Sequence, residues 1–347
     1  MPPGREPPVK RPTMADIARR AGVTKAAVSF ALNDRPGVSA PTRRRILAIA
    51  EELGWQPNSA ARALSDGRAG AFGLVIDRPA RTLGLEPFFM QLVSGIQAEL
   101  IEDATPLVFT MAEDQAAEIA LYRAWWAQRR VDGVFLVDLK ADDARVAVLE
   151  ELGMPGVVIG APVGTGRLPA VWSDDGVAVR TVVGRLAELG HRRIARVSGP
   201  SVLRHTIIRT DAFATCVREL GLEGRIVEAD YSGERGAAAT RELLSDERHR
   251  PTAILYDNDV MAVSGLTTAQ ALGLRVPADL SVVAWDDSAL CELVHPSLTA
   301  LSRDIAAYGA HAARRLREAA GGQQVGDLQD VAPRLTMRGS VAAPPVP

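Results

Sequence analysis

Cysteine is nearly absent from this 347-residue chain, and the two that occur, Cys216 and Cys291, have neither metal-ligand spacing nor a secretory setting. A disulfide framework and a structural zinc are therefore not expected, and both thiols read as packing residues. No apolar run reaches the ~18 residues of a membrane span, and the first ten residues, MPPGREPPVK, lack the apolar centre of a signal peptide. The expectation is a cytoplasmic protein with no membrane partner. The five histidines (His191, His205, His249, His295, His311) are scattered without HExxH or triad spacing, so neither metal nor nucleophile chemistry is signalled and no cofactor is expected.

What remains, 47% hydrophobic and 24% charged, is ordinary for two or three globular domains and excludes collagen-like, coiled-coil and wholly disordered chains. A net charge of -2 conceals an asymmetry, because residues 1–70 carry 12 Lys and Arg against 6 Asp and Glu while the rest is at -8. A basic head on an acidic body suits a polyanion-binding module joined to something else; the alternative is a solvated charged face.

Residues 1–12, rich in Pro and charge without periodicity, read as a disordered arm. From Thr13 the pattern becomes helical, with Thr13 as cap, Asp16 three residues on, and Ile17, Ala18 and Ala21 on one face until Gly22 stops it. Thr24 caps a second helix, Lys25 to Leu32, three residues later, which is helix-turn-helix spacing. A third helix follows Ser39, with Pro41 in its first turn and Gly54 as its stop. Ile17, Val28, Ile49 and Leu53 are the expected core. The second helix then exposes Thr24, Lys25, Ala26, Ser29, Phe30 and Asn33 to a major groove. A three-helix protein-interaction bundle is the alternative.

The run MADIARRAGVTKAAVSFALNDRPGVSAPTRRRILAIAEELGWQPNSAARAL resembles the headpiece of the lactose-repressor (LacI/GalR) family of bacterial transcription regulators. The matches are Asp16-Ile17-Ala18, Ala21-Gly22-Val23-Thr24, Val28-Ser29, Leu32-Asn33, Val38-Ser39, Thr42-Arg43, Glu52-Leu53-Gly54 and Pro57-Asn58. The resemblance implies DNA contacts from Thr13, Thr24, Lys25, Ala26, Ser29, Phe30 and Asn33. Where the family usually carries Arg after Val-Ser, this chain has Phe30, an apolar side chain suited to a thymine methyl instead of a guanine. Asn58 to Leu64 is by itself a plain linker helix, too short to be stable alone. In the family it is a hinge helix, with Asn58 at its start, the small Ala61 facing its dimer mate and Leu64 wedging between base steps in the minor groove.

From Ala71 onward, short apolar runs alternate with helical patterns: 72–77, 107–110, 133–138, 157–160, 194–198, 226–230, 253–256 and 281–285. That alternation predicts parallel α/β sheets, and the length of the body predicts two subdomains with a first crossover near 160–166. The glycines there lack GxGxxG spacing, so no dinucleotide fingerprint is present. Ligands of such sheets collect beyond the strands' carboxyl ends, where Asp77, Asp138, Tyr231, Asp257-Asn258-Asp259 and Asp286-Asp287 stand, with Arg209 on a following helix. Acids, an arginine and aromatic faces suit a polyhydroxylated ring, although Asp257 or Asp174 would equally serve as a helix N-cap.

The resemblance continues to about Met337 through Pro87-Phe88-Phe89, Arg130-Val131-Asp132-Gly133, Glu188-Leu189-Gly190-His191, Ser198-Gly199-Pro200, Pro251-Thr252-Ala253, Asn258-Asp259, Val276-Pro277 and Asp286-Asp287. It implies an α/β fold with an all-α helix-turn-helix headpiece and a periplasmic-binding-protein-like body of two Rossmann-like subdomains. The implied division is 13–57 for the headpiece, 58–69 for hinge and linker, 70–340 for the effector and dimerisation body, and 341–347 as a disordered tail. Arg209 and Asp286 match the pair that grips effector hydroxyls, Asn258 a polar contact, Tyr231 the stacking aromatic and Phe88 the mouth. A usual acid after the fourth strand is Gly160 here, and Asp174-Asp175 replaces Asp-Asn. The implied protein is a repressor, with a pseudo-palindromic double-stranded operator, a mono- or oligosaccharide effector and a second copy of itself as partners. A purine effector or corepressor action is the alternative, and a carbohydrate-active enzyme the rival class. GSVAAPPVP at the C-terminal end carries no heptad repeat, which favours a dimer over a tetramer.

Overall fold

The computed structural model describes residues 12–55, 68–78 and 83–345. The chain divides into two units, residues 1–67 and 68–347. The expected arm up to residue 11 and the hinge residues Asn58, Ala61 and Leu64 lie outside the described residues.

The small unit holds three helices, α1 (Met14–Ala21), α2 (Lys25–Leu32) and α3 (Ala40–Glu52). The Asp16 carboxylate accepts from the backbone N–H and the hydroxyl of Thr13 at 2.9 and 2.7 Å, fixing the start of α1. Gly22 ends it at φ +64, a left-handed cap that favours glycine. Ile17, Val28 and Ile46 are fully buried at the junction of the three helices, walled by Ala18, Ala21, Ala31 and Ala50. Burial of each large residue contributes roughly 1.5–3 kcal/mol. The expected core residues Ile49 and Leu53 are only half-buried, because α3 turns its Ile46 and Ala50 face inward.

The large unit holds two six-stranded sheets. The first orders β11 (Leu328–Gln329), β5 (Ala170–Trp172), β4 (Gly156–Ile159), β3 (Val134–Leu136), β1 (Phe72–Ile76) and β2 (Leu107–Met111), all parallel. The second orders β12 (Arg334–Thr336), β10 (Thr299–Ser302), β9 (Ser281–Trp285), β8 (Ala253–Tyr256), β6 (Arg193–Ser198) and β7 (Glu223–Glu228), with only β12 antiparallel. The central strands are buried on both faces, which explains their unbroken apolar runs.

The chain passes between the sheets three times: after β5, after β10, and between β11 and β12. The first passage therefore lies past Trp172, not at the glycine-rich 160–166, which forms a loop returning the chain to the same sheet as β5. After the second passage the helix Ile305–Ala320 packs on the helix Pro87–Leu100, and glycines make the approach close. A Cβ at Gly95 would overlap the Ala306 carbonyl, and one at Gly309 the Leu92 carbonyl.

Residues 341–345, expected to be disordered, are instead held by the second subdomain. Ala342 donates its N–H to Ser281 Oγ at 3.2 Å, and its carbonyl lies 2.9 Å from Nε2 of the buried His191. The buried His191 ring accounts for the Gly190-His191 motif: it pins the end of the chain to the sheet.

Candidate functional site

A cavity of about 260 Å³ lies where the carboxyl ends of both sheets meet, near the lower end of small-molecule pockets. Strands of both sheets deliver residues to it just past their ends: Asp138 after β3, Gly160 after β4, Ser173 after β5, Tyr231 after β7, Asp257 after β8, Asp286 after β9 and Arg303 after β10. Asp138, Tyr231 and Asp286 are all left-handed, at φ 51, 69 and 63. Non-glycine residues hold that conformation only where the surroundings impose it, and such positions concentrate at ligand sites.

One buried arginine in each subdomain braces a strand end. Arg145, paired with Glu118 and Asp143, donates through Nη2 to the carbonyls of Val137 and Asp138 at 3.1 Å each, fixing the end of β3. Arg196 forms a two-pronged pair with Asp257, Nε to Oδ1 at 2.8 Å and Nη2 to Oδ2 at 2.6 Å, with both side chains at 0% exposure. Asp257 also accepts from the Gly199 N–H at 3.1 Å, so this acid is neither the N-cap nor a ready ligand for an effector. Gly199 in turn gives the Tyr231 phenol its space, since a Cβ there would strike the ring.

Four of the five expected effector residues line the cavity: Phe88, Arg209, Tyr231 and Asp286. Arg209 lies 3.6 Å over the Trp285 ring and donates through Nε to Asp175 at 2.7 Å. Tyr231 is buried, with its hydroxyl 2.6 Å from His205 Nε2 and its ring face 4.5 Å from the Arg78 guanidinium. One face of the ring is thereby occupied within the protein. Asn258 is the exception. It caps the helix Asp259–Ala271 by accepting from Met261 N–H at 2.8 Å, and its amide donates to the Tyr231 carbonyl at 3.0 Å. It shapes the wall without facing the cavity.

Arg78, Glu86, His205 and Arg303 escaped the sequence reading. Arg78 pairs with Asp138 at 2.9 Å and Arg303 donates to Ser173 Oγ at 3.1 Å. Burial, reinforced by Arg209, Arg78 and Arg303, drives the His205 pKa well below its ordinary value, so the ring is neutral. Burial also raises Glu86 to about 7, opposed by Arg78 and assisted by Asp138, Asp286 and Asp259. Between its ordinary 4.5 and about 7 the folded chain keeps a proton that the unfolded chain has released, so Glu86 makes stability fall as pH rises through that window. Glu86→Gln should accordingly be more stable than the parent above pH 7, by about 2–3 kcal/mol, and gain little at pH 4.5. Urea denaturation at the two pH values checks this, and an equal difference at both would show that Glu86 does not titrate there.

In the small unit, Thr24, Lys25, Ala26, Phe30 and Asn33 are exposed on α2 and Ser29 is half-buried. Thr24 Oγ1 accepts from Ala27 N–H at 3.2 Å, and exposed Thr13 starts α1. The Phe30 ring is 38% exposed, and its other side lies against Gly37, itself at φ +115, so a short loop backs it. Arg43 on α3 braces that loop through Asp34 and the Arg35 carbonyl.

Residues 13–58 match bacterial regulatory proteins of the lacI family, and residues 183–341 match the periplasmic binding protein-like domain. Among curated proteins, the HTH-type transcriptional regulator CelR of Thermobifida fusca is 32% identical over 312 residues, 88% of this chain and 91% of that one. MalR of Streptomyces coelicolor is 32% identical over 345 residues, 96% of this chain and 97% of that one. Among solved structures, the lac repressor dimer bound to operator and the anti-inducer ONPF superposes with a TM-score of 0.85 at 27% identity, covering 96% of this chain and 100% of that one. The CelR–cellobiose complex gives 0.72 at 30% identity over 95% of this chain and 100% of that one.

Proposed function

The chain belongs to the lacI family of bacterial regulatory proteins, and we propose that a sugar held in the cavity between its subdomains controls its grip on operator DNA. It is a DNA-binding transcriptional regulator with the helix-turn-helix as its reading head. The observation that carries the sugar reading is the cavity lining, in which arginines and acids from both sheets stand together with the aromatic Phe88 and Trp172. A purine is the poorer fit, because Tyr231 is only 3% exposed and carries the Arg78 guanidinium over one ring face. The protein acts as a dimer on a pseudo-palindromic duplex in the cytoplasm, where that DNA is. No helix among the described residues is long and apolar enough to cross a membrane.

The reading assigns no catalytic step. Asp286 and Asp287, the adjacent acids a hydrolase would need on one bond, diverge: Asp286 faces the cavity and Asp287 pairs with Arg338 at 2.7 and 2.9 Å. The test is a titration of an operator fragment, selected by the protein from random duplexes, with and without glucose, maltose and cellobiose. Release of DNA by one of them is the expected result; indifference to all sugars would defeat the reading.

The same selection tests the reading head. Phe30, exposed on α2, should favour thymine at one position of each half-site, and Phe30→Arg should move that preference to guanine by about 1–3 kcal/mol. An identical preferred base for both proteins would remove Phe30 from base recognition.

A further inference from the structure

The two subdomains are joined covalently at the passages after β5, after β10 and between β11 and β12. They also meet through two segments that belong to none of these passages. Just past β3, residues 139–141 of the first subdomain run antiparallel to residues 202–204 of the second, with Lys140 opposite Leu203. Ala141 donates its N–H to the Val202 carbonyl at 3.0 Å, and Arg204 donates its N–H to the Leu139 carbonyl at 2.7 Å. The Arg204 guanidinium donates in addition to the Ala141 carbonyl. Leu139 and Leu203, each 4% exposed, belong to the cores of different subdomains. Each segment is braced from its own side. Lys140 donates its N–H to Asp143 at 2.8 Å and its Nζ to Asp77 at 3.0 Å, and Asp143 is held by the buried Arg145. In the second subdomain, the Leu203 N–H donates to the Pro200 carbonyl at 3.1 Å. Asp138 and His205, which adjoin the two segments, line the cavity, whereas residues 139–141 and 202–204 do not.

We propose that this backbone bridge is a latch between the subdomains, which sets how firmly an effector is held and how far operator binding responds, without touching the effector. This rests on the reading that a ligand in the cavity controls DNA binding, and goes beyond it by placing a control outside the cavity. Main-chain groups cannot swing aside as cavity side chains do. Moving the subdomains apart by more than about 1 Å therefore takes the two backbone bonds and the guanidinium bond out of range together. The same motion uncovers Leu139 and Leu203. The Arg204 N–H gains most from the bridge, because it stands in the first turn of the helix Arg204–Glu219, where no intrahelical acceptor exists. Water replaces part of what is lost on opening, so each bond is worth little net and the latch can release. A ligand that fits only the bridged arrangement then binds with an apparent affinity scaled by the fraction of molecules in that arrangement. Arg204 is accordingly a positioning residue: it fastens the bridge, while its neighbour His205 faces the cavity.

The test locks the bridge in the full chain. Residues facing each other in this register have Cα atoms about 4.5 Å apart, within the roughly 4.4–6.8 Å span of a disulfide. Lys140→Cys combined with Leu203→Cys should therefore oxidise to a cross-link, and the native Cys216 and Cys291 are buried and do not compete. In anisotropy titrations of the selected operator, the oxidised double variant is expected to differ from its reduced form by about fivefold or more in affinity. It should also no longer respond to glucose, maltose or cellobiose, with dithiothreitol restoring the response. Arg204→Ala should weaken the active sugar about tenfold, chiefly through faster release, and speed deuterium exchange at the Ala141 amide by about as much. Failure of the cross-link to form in folded protein would overturn the latch, as would an oxidised chain that matches the reduced one in operator affinity and sugar response. Unchanged sugar affinity or unchanged Ala141 exchange in folded Arg204→Ala would do the same, and that variant decides alone if the double variant does not fold. If no sugar moves operator binding in the parent chain, the sugar reading falls, while cross-linking, its effect on operator affinity and the Ala141 exchange rate still judge the bridge.

Discussion

Asp257→Ala is expected to lower unfolding free energy by about 3–5 kcal/mol, the loss that follows when one member of a buried ion pair is removed. The size follows from what the mutation strands. Arg196 would keep its positive charge at 0% exposure, with Thr210 Oγ1 at 2.7 Å as a neutral remaining partner. The Gly199 N–H would lose its acceptor as well, loosening the turn against which Tyr231 packs. Attraction across the pair is large because little water screens it, but so was the cost of desolvating both groups, and the net value of the intact pair is small. The double replacement Arg196→Met with Asp257→Leu should therefore recover most of the loss. Denaturant melts that share one slope give the comparison. If the double variant is as unstable as the single one, the loss comes from shape and not from an uncompensated charge.

Sequence patterning carried further in the head than in the body. The caps Thr13, Thr24 and Ser39 and the stop at Gly22 place all three helices, because capping is local chemistry. In the body, Ala253–Tyr256 and Ser281–Trp285 are read to the residue, since strands buried on both faces appear as continuous apolar runs. Ala170–Trp172, Thr299–Ser302, Leu328–Gln329 and Arg334–Thr336 are missed. These short strands, edged by polar residues or lying at the sheet margins, show no unbroken run of four apolar residues, and they include the strands that decide where the chain changes sheet. The displaced first crossover is the direct consequence.

The effector site divides in the same way. Asp286 and Tyr231 are found because strand ends are where ligands of such sheets gather. Arg78 and Glu86 stand outside the apolar runs and helical patterns legible in the sequence, where an exposed arginine would look no different. Only burial distinguishes them. Asn258 illustrates the opposite error, for a residue at a strand end that begins a helix can be consumed by capping it, as this one is. His191 was legible as part of a motif, but its work at the chain terminus depends on residues 151 positions away.

Arg209→Ala should abolish the response to effector while leaving a protein that occupies its operator whether or not sugar is added. Arg209 is 5% exposed, stacked 3.6 Å over Trp285 and paired with Asp175, so its guanidinium is held rigid before any ligand arrives. A charged hydrogen bond contributes roughly 1.5–3 kcal/mol, and its loss would weaken effector binding about tenfold to 150-fold. Arg209→Lys should not rescue, because an ammonium can neither stack flat on the indole nor offer the guanidinium's fork of donors. Asp286→Asn is the milder change: the amide keeps the shape but exchanges a charged acceptor for a neutral one. The coupling to DNA follows by linkage, since an effector that prefers one arrangement of the subdomains can shift operator affinity only by its own difference in affinity between arrangements, typically ~1–3 kcal/mol. Once binding at working sugar concentrations is lost, so is that shift. Calorimetry with the active sugar, beside anisotropy titrations of labelled operator, separates the two quantities. Normal sugar affinity in both Arg209→Ala and Asp286→Asn would move the site elsewhere, whereas loss of operator binding without sugar would mean that these side chains hold the body together instead of reading its ligand.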